Sequence, residues 1–287
     1  MIYTIKNKYI EARISSYGAE LISLKDNEGI ERLHQKDKKT WDRQSPILFP
    51  TVSRFKDYVY DYNGKEYMMP MHGFFKEMEL VPVNVGKDFI EFNVKNDEKT
   101  LLMYPFCFSF NVKYTVFNSK LIVSFKVKNE DDKPMYHMLG GHPGFLIPLF
   151  ADETYEDYYL EFEKKETSDA MQVVNNYLAN VYKRALTNEN IINLKHSLFN
   201  PDAIVLTKLK SKYVILKSKK HNKAIKFYFS DFKILAIWSK MSDDANFVCL
   251  EPWNGIQKDF VKNIEQMGIL KLNSKQTKKY NYIIEVI

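Results

Sequence analysis

Residues 108–129 read FSFNVKYTVFNSKLIVSFKVKN. Apolar and polar side chains alternate through 108–117, pause at Asn118-Ser119-Lys120, and alternate again through 121–129. A period of two puts successive side chains on opposite faces of an extended chain, so this stretch is two antiparallel strands joined by a tight turn. The same reading extends outward. In YVYDYNGKEYMM (58–69), strands at 58–62 and 65–69 flank Asn63-Gly64, the strongest short-range hairpin signal. Strands at 79–85 and 89–95 join across Gly86-Lys87-Asp88, and 20–25 ends in the turn Asp26-Asn27-Glu28-Gly29. Further strands are expected at 3–5, 9–14, 158–163, 203–209, 213–218, 224–229, 234–239, 247–250 and 280–286.

Helical periodicity is sparse. Residues 96–104 predict one or two turns, capped by Asn96 and stopped by Pro105, and 259–266 predict another. No linker, composition break or internal repeat divides the chain. More than a dozen short strands at about ten-residue spacing predict an all-β fold: one large antiparallel β-sandwich domain spanning 1–287. An aromatic content of 15% suits strands, where large flat side chains pack well.

Composition removes several function classes. With 45% hydrophobic and 27% charged residues, wholesale disorder is excluded. The longest uncharged stretch, 134–151, holds three Pro, three Gly and two His, so it cannot span a bilayer as a helix. The N-terminal MIYTIKNKYIEARI has no apolar signal core, which predicts a non-secreted, cytoplasmic protein. Net charge is +6, from 42 basic and 36 acidic residues, but only five are Arg and the Lys are dispersed. Nucleic-acid binding would cluster them on one face with aromatics, so neither a nucleic-acid nor a membrane partner is expected. Cys107 and Cys249 sit in apolar segments and read as buried, reduced thiols; no spacing suggests a zinc site.

Four segments break the alternation with Gly, Pro, His and carboxylates. They are QSPILFPTVSR (44–54), leading to MPMHGF (69–74); GGHPGF (140–145); FNPDA (199–203); and CLEPWNG (249–255). Each sets an ionisable residue beside Gly or Pro at a strand end, where binding residues concentrate. Singly, each has a structural explanation: a satisfied core His, a strand-end Glu251, a turn-forming Asp202, a surface Arg54. Together, two His, two carboxylates and an Arg are the groups needed for acid/base work on a polyol.

In this order, with SSYGAELISLKD (15–26) before them and AIWSK (236–240) ahead of the Glu, the motifs resemble the aldose 1-epimerases, the galactose mutarotase-like family. The likeness is greatest to a small bacterial branch associated with lactose and galactose operons, and it covers nearly the whole chain. It implies a β-sandwich with its site on one concave face. It also implies that His142 is the general acid toward the ring oxygen and Glu251 the general base on the anomeric hydroxyl. Arg54, His72 and Asp202 would bind the sugar. No metal or organic cofactor is implied, and the partner is a small sugar, with a monomer or homodimer expected. Three positions depart from the family pattern: Ser53 stands where an Asn precedes the Arg, Gly141 where an Asn precedes the second His, and Pro143 where a polar residue follows it.

Mutarotation needs such groups because a hemiacetal opens when the anomeric hydroxyl loses a proton and the ring oxygen gains one. Ordinary His and Glu pKa values, near 6.5 and 4.3, make an imidazolium–carboxylate pair readily populated. The pair is expected to face across a sugar-sized gap, with Trp238 or Trp253 offering an apolar face to the sugar. Three rivals remain: a hexose-6-phosphate 1-epimerase using Arg43 and Arg54, a non-catalytic carbohydrate-binding protein, and a metal enzyme using His72, His142 and a carboxylate.

Overall fold

The computed structural model describes residues 1–174, 177–257, 262–267 and 269–287. The fold is all-β, a large antiparallel sandwich. Among the described residues, one 15-stranded sheet dominates. From one end its order is Ile47–Leu48, Leu139–Gly141, Phe247–Asn254, Ile234–Trp238, Ile204–Thr207 and Tyr158–Val174. It continues through Tyr213–Ser218, Ala224–Tyr228, Thr277–Val286, Lys120–Asn129, Phe108–Phe117, Phe89–Lys95 and Pro82–Val85. Gly144–Leu146 also pairs with Phe247–Asn254, and Tyr177–Asn193 with Tyr158–Val174. A three-stranded sheet, Ile2–Lys6, Ile10–Ser15 and Leu21–Asp26, packs against it, and the Tyr114 hydroxyl donates to the Ala19 carbonyl at 2.8 Å.

Alternation places the strands correctly where one face is buried. Phe108–Phe117 pairs along its whole length with Lys120–Asn129, inward residues Phe110, Val112, Leu121, Val123 and Phe125 are buried, and the turn is where the pause in the pattern put it. At the Asn63-Gly64 hairpin both turn residues have positive φ (52° and 71°), as its two-residue loop requires. One hydrophobic cluster then runs from Ile5 to Val286. At its centre Phe49 stacks on Phe110 (ring centroids 4.1 Å apart), which also meets Phe75 and Phe125.

Four expectations change. The short helix is Glu98–Met103, and its cap is Asp97, not Asn96: Asp97 accepts from the Thr100 N–H at 2.7 Å and its own N–H donates back to the Thr100 hydroxyl. Asn96 instead accepts from the Phe108 N–H. Of the helix expected at 259–266, residues 259–261 lie outside the described residues, and 262–266 form a bridge and a turn. The strand expected at 158–163 runs on to Val174 and pairs antiparallel with Tyr177–Asn193, a 17-residue strand the polar sequence did not reveal. The strand begun at 247 continues through Asn254, across Glu251 and Pro252, with every residue buried. No helix among the described residues is long and apolar enough to cross a membrane.

The long hairpin is bent by register shifts after Glu161, Glu166, Ser168 and Met171. Glu166 is almost wholly buried at the first bends. It accepts from the Lys210 and Ser211 N–H groups and the Ser211 hydroxyl (2.6–3.1 Å), which ties the bend to the neighbouring turn. Removing an aromatic from the core centre tests the packing. Phe110→Ala should cost about 3–5 kcal/mol, the range for emptying a buried Phe site. An unchanged midpoint in urea unfolding would show that the cluster does not carry the fold.

Candidate active site

The strand Phe247–Asn254 receives two short partners in succession. Leu139–Gly141 pairs with Gly140 opposite Trp253, and Gly144–Leu146 pairs with Gly144 opposite Cys249. The two registers are continuous through the interruption, where the Leu250 N–H still donates to the Pro143 carbonyl at 3.1 Å. His142 therefore stands directly across from Glu251. Opposed side chains in an antiparallel pair are neighbours, and here His142 Nε2 lies 3.0 Å from Glu251 Oε2, in contact though off a full hydrogen-bond line. The sugar-sized gap expected between them is absent.

Both groups are nearly sealed from solvent. Desolvation, reinforced by the charge of Asp202, pushes the Glu251 carboxyl well up; the Trp253 indole N–H pulls weakly the other way. Desolvation, with His72 nearby, pushes His142 well down. Burial thus favours a protonated Glu251 beside a neutral His142, not the imidazolium and carboxylate expected from ordinary pKa values. Either arrangement holds one proton between the two residues.

His72 occupies a turn at the cleft wall, where its φ is +64° and that of Ser53 is +61°. The two are locked reciprocally: the His72 N–H donates to the Ser53 carbonyl at 2.8 Å, and the Ser53 N–H donates to His72 Nδ1 at 3.1 Å. An amide can only donate, so Nδ1 is the acceptor and the neutral ring carries its proton on Nε2. Surrounding protein desolvates the ring and pushes its pKa down to about 3. The following Gly73 has φ +75°, and a Cβ there would fall 2.2 Å from the Phe49 carbonyl oxygen, so this turn admits only glycine.

All five residues singled out from the motifs line one open cleft of about 750 Å³, within the usual range for small-ligand sites. Asp202 accepts from the Ala203 N–H at 2.7 Å. Arg54 lies over the Tyr177 ring at 4.9 Å and near the Tyr58 hydroxyl at 3.3 Å, so the long hairpin helps build the wall. Trp238 and Trp253 both line the cleft.

The motif reading missed four contributors. Trp41, just ahead of the first motif, stacks on the His142 ring at 4.8 Å and meets Trp238 edge-on. Its loop is fixed by Glu20, which accepts from the Gln44 and Ser45 N–H groups at 2.8 and 2.9 Å. A Cβ at Gly144 would come within 2.7 Å of the Trp41 ring, so glycine there makes room for it. Val173 and Leu178, on the long hairpin, complete the apolar wall. Cys249 lies on the same strand face as Glu251, and His142, Cys249 and Glu251 bring donor atoms within 4.8 Å of one another. The trio of a metal-site rival is therefore not the expected one, because Cys249 stands in place of His72.

Comparison with known proteins agrees with this architecture. The chain is 32% identical, over the full length of both, to protein LacX of Lactococcus lactis subsp. lactis. It superposes on the galactose mutarotase related enzyme of Lactobacillus acidophilus with a TM-score of 0.95 at 32% identity, covering 100% of this chain and 97% of that one. A galactose mutarotase-like protein of Lactobacillus casei gives 0.93 at 27% identity, with both chains fully covered. The fold is thus that of the mutarotase-like proteins. The aldose 1-epimerase family model matches residues 1–264, and the chain belongs to that family.

The locked tautomer makes a direct prediction. Because its pKa is depressed, His72 should stay neutral from pH 8 down to about 4, where an ordinary imidazole would protonate near 6.5. Nitrogen-15 NMR should find Nδ1 unprotonated and Nε2 protonated across that range. A ring that titrates near 6.5, or that carries its proton on Nδ1, would contradict the assignment.

Proposed function

We propose that the protein is an aldose 1-epimerase that interconverts the anomers of a free aldohexose in this cleft. The observation that carries the reading is the His142–Glu251 contact at the cleft floor, 3.0 Å wide and holding one proton in either arrangement. The anomeric and ring oxygens of a hemiacetal hang on the same carbon, closer together than that contact. Two side chains in contact can therefore address both oxygens at once, one accepting while the other donates. In the family-like sense Glu251 takes the proton of the anomeric hydroxyl and His142 delivers one to the ring oxygen as the C1–O5 bond breaks. That arrangement is reached from the resting one by moving the shared proton across the contact. After rotation about C1–C2 the same transfers run backwards and close the ring on the other face, so the proton count returns to its start.

His72, with its Nε2–H, is placed to donate to a substrate oxygen without titrating. Asp202 and Arg54 supply hydrogen bonds to hydroxyls. Trp41 and Trp238 offer apolar faces beside His142. A sugar without a phosphate is favoured, because Arg43 is already held by Glu77 at 2.5 Å and Lys76 by the same carboxylate at 3.0 Å. We further propose that the sandwich is a single domain and acts in the cytoplasm.

Glu251→Gln and His142→Asn should each lower kcat by at least about 10²-fold, the low end for acid/base groups. The double variant should lose little more than the worse single one, since groups acting as a unit are not additive. Anomer exchange followed by polarimetry or NMR over free and phosphorylated aldoses reads this. Wild-type rates in both single variants, with stability intact, would leave a sugar-binding protein in place of an enzyme.

The pH profile follows from the directions of the two shifts. The active pair holds one proton. A second goes onto His142 only below its lowered pKa, and the last leaves Glu251 only above its raised one. The kcat plateau should therefore extend below pH 6.5 on the acid side and well above 4.5 on the alkaline side. A rate that falls as pH drops through 6.5 would show that His142 is not desolvated in the working enzyme.

A further inference from the structure

We infer that His142, Cys249 and Glu251 together bind a divalent transition-metal ion, zinc by donor chemistry, at the floor of the cleft. The three offer one nitrogen, one sulfur and one oxygen within 4.8 Å of one another, the nitrogen and oxygen only 3.0 Å apart. Bond lengths of about 2.0–2.3 Å put the donors of a tetrahedral zinc site roughly 3.3–3.6 Å apart, so the widest separation closes by roughly 1 Å through side-chain rotation. Imidazole with thiolate selects zinc over calcium or magnesium.

The second observation is that Glu251 Oε2 is buried without a hydrogen-bond partner in the described structure, although it points at His142. A carboxyl oxygen buried with no hydrogen-bond donor is satisfied either by carrying the proton itself or by a cation that displaces it. The scaffold also pre-positions the set. Cys249 and Glu251 are two residues apart on one strand and so share a face, and His142 comes from across the continuous register. Trp41 and Trp238 pack with Phe247 around Cys249, an apolar shell about the sulfur. His142 and Glu251 also line the cleft, which gives an ion its way in.

Binding is a proton exchange without redox change. The metal takes the lone pairs of His142 Nε2, the Glu251 carboxylate and the Cys249 thiolate. The thiol proton leaves, together with any proton carried by the His142–Glu251 pair, so binding releases protons. The site depends only on these side chains, not on the reaction proposed above. If that reaction operates, the metal occupies both of its proton carriers and competes with the sugar.

Cobalt(II) is the probe, added to the full-length reduced protein. One equivalent should produce a thiolate-to-cobalt charge-transfer band in the near ultraviolet, and one equivalent of zinc should remove it. Calorimetry of zinc binding in buffers of different ionisation enthalpy should report net proton release, because the thiol must deprotonate to bind; no release would count against a thiolate ligand. Cys249→Ala and the near-isosteric Cys249→Ser should lose the band and bind zinc at least tenfold more weakly, whereas Cys107→Ala should keep both. Circular dichroism identifies any variant that fails to fold, and the other then decides. No band in the wild type at millimolar cobalt, or a band that survives in Cys249→Ser and vanishes in Cys107→Ala, would overturn the inference. A protein without epimerase activity that still shows the band would support this site while removing the reaction.

Discussion

Two short strands, Leu139–Gly141 and Gly144–Leu146, pair with Phe247–Asn254 in one unbroken register, and the cleft depends on it. His142 falls in the interruption between them and is held opposite Glu251 without belonging to either. A slip of one residue would turn every side chain of these strands to the other face, so the same pairing that buries Phe145, Val248 and Leu250 also fixes the His–Glu contact. Core and site share one constraint. The neighbouring strand Ile234–Trp238 continues it, setting Trp238 opposite Cys249 and Ala236 opposite Glu251, where a small side chain leaves room.

Burial then sets the chemistry. A carboxyl and an imidazole taken from water into this floor both move toward their neutral forms, because the charged forms lose the most solvation. Such a pair rests in its neutral form, the proton on the carboxyl, instead of being pinned as an ion pair. His72 differs, since a backbone amide fixes its tautomer and desolvation keeps it from titrating. Two histidines less than 6 Å apart are thus given different work by their immediate surroundings: one is coupled to a carboxyl, and the other is a fixed donor.

The sandwich was legible wherever one face of a strand is buried and the other wet, as in Phe108–Phe117, because alternation then records the environment directly. Two kinds of segment escaped. Phe247–Asn254 is buried on both faces, so no alternation marks its continuation past Leu250, and Pro252 disguised it further. Tyr177–Asn193 is largely solvated and polar, and its bulges break the period. Four of the five motif residues, His72, His142, Asp202 and Glu251, stand out because each sits beside a Gly or Pro whose backbone demands are local and visible in sequence. Trp41 and Cys249 were not legible as site residues. A lone Trp ahead of a motif looks like core, and a lone Cys in an apolar strand looks inert until the fold reveals what stands across from it. The contact distance of the pair was also beyond the sequence, since it is a matter of register between segments more than a hundred residues apart.

Floor and wall of the cleft are built differently, and this divides the proposed labour. The floor is the middle of a sheet, every position of Phe247–Asn254 buried, so its backbone holds one register. The wall is the outer part of a long bent hairpin, anchored where Glu166 binds the Lys210–Ser211 amides and touching the cleft through Val173, Leu178 and the Tyr177 ring under Arg54. A reaction common to all hemiacetals asks only for the floor, because C1 and its two oxygens are the same in every aldohexose. In the proposed reaction, the hydroxyls at the distant carbons face the wall instead. A change in preferred sugar can therefore come from the hairpin, whose exposed bulged strands tolerate substitution, without disturbing the register on which the proton transfer rests.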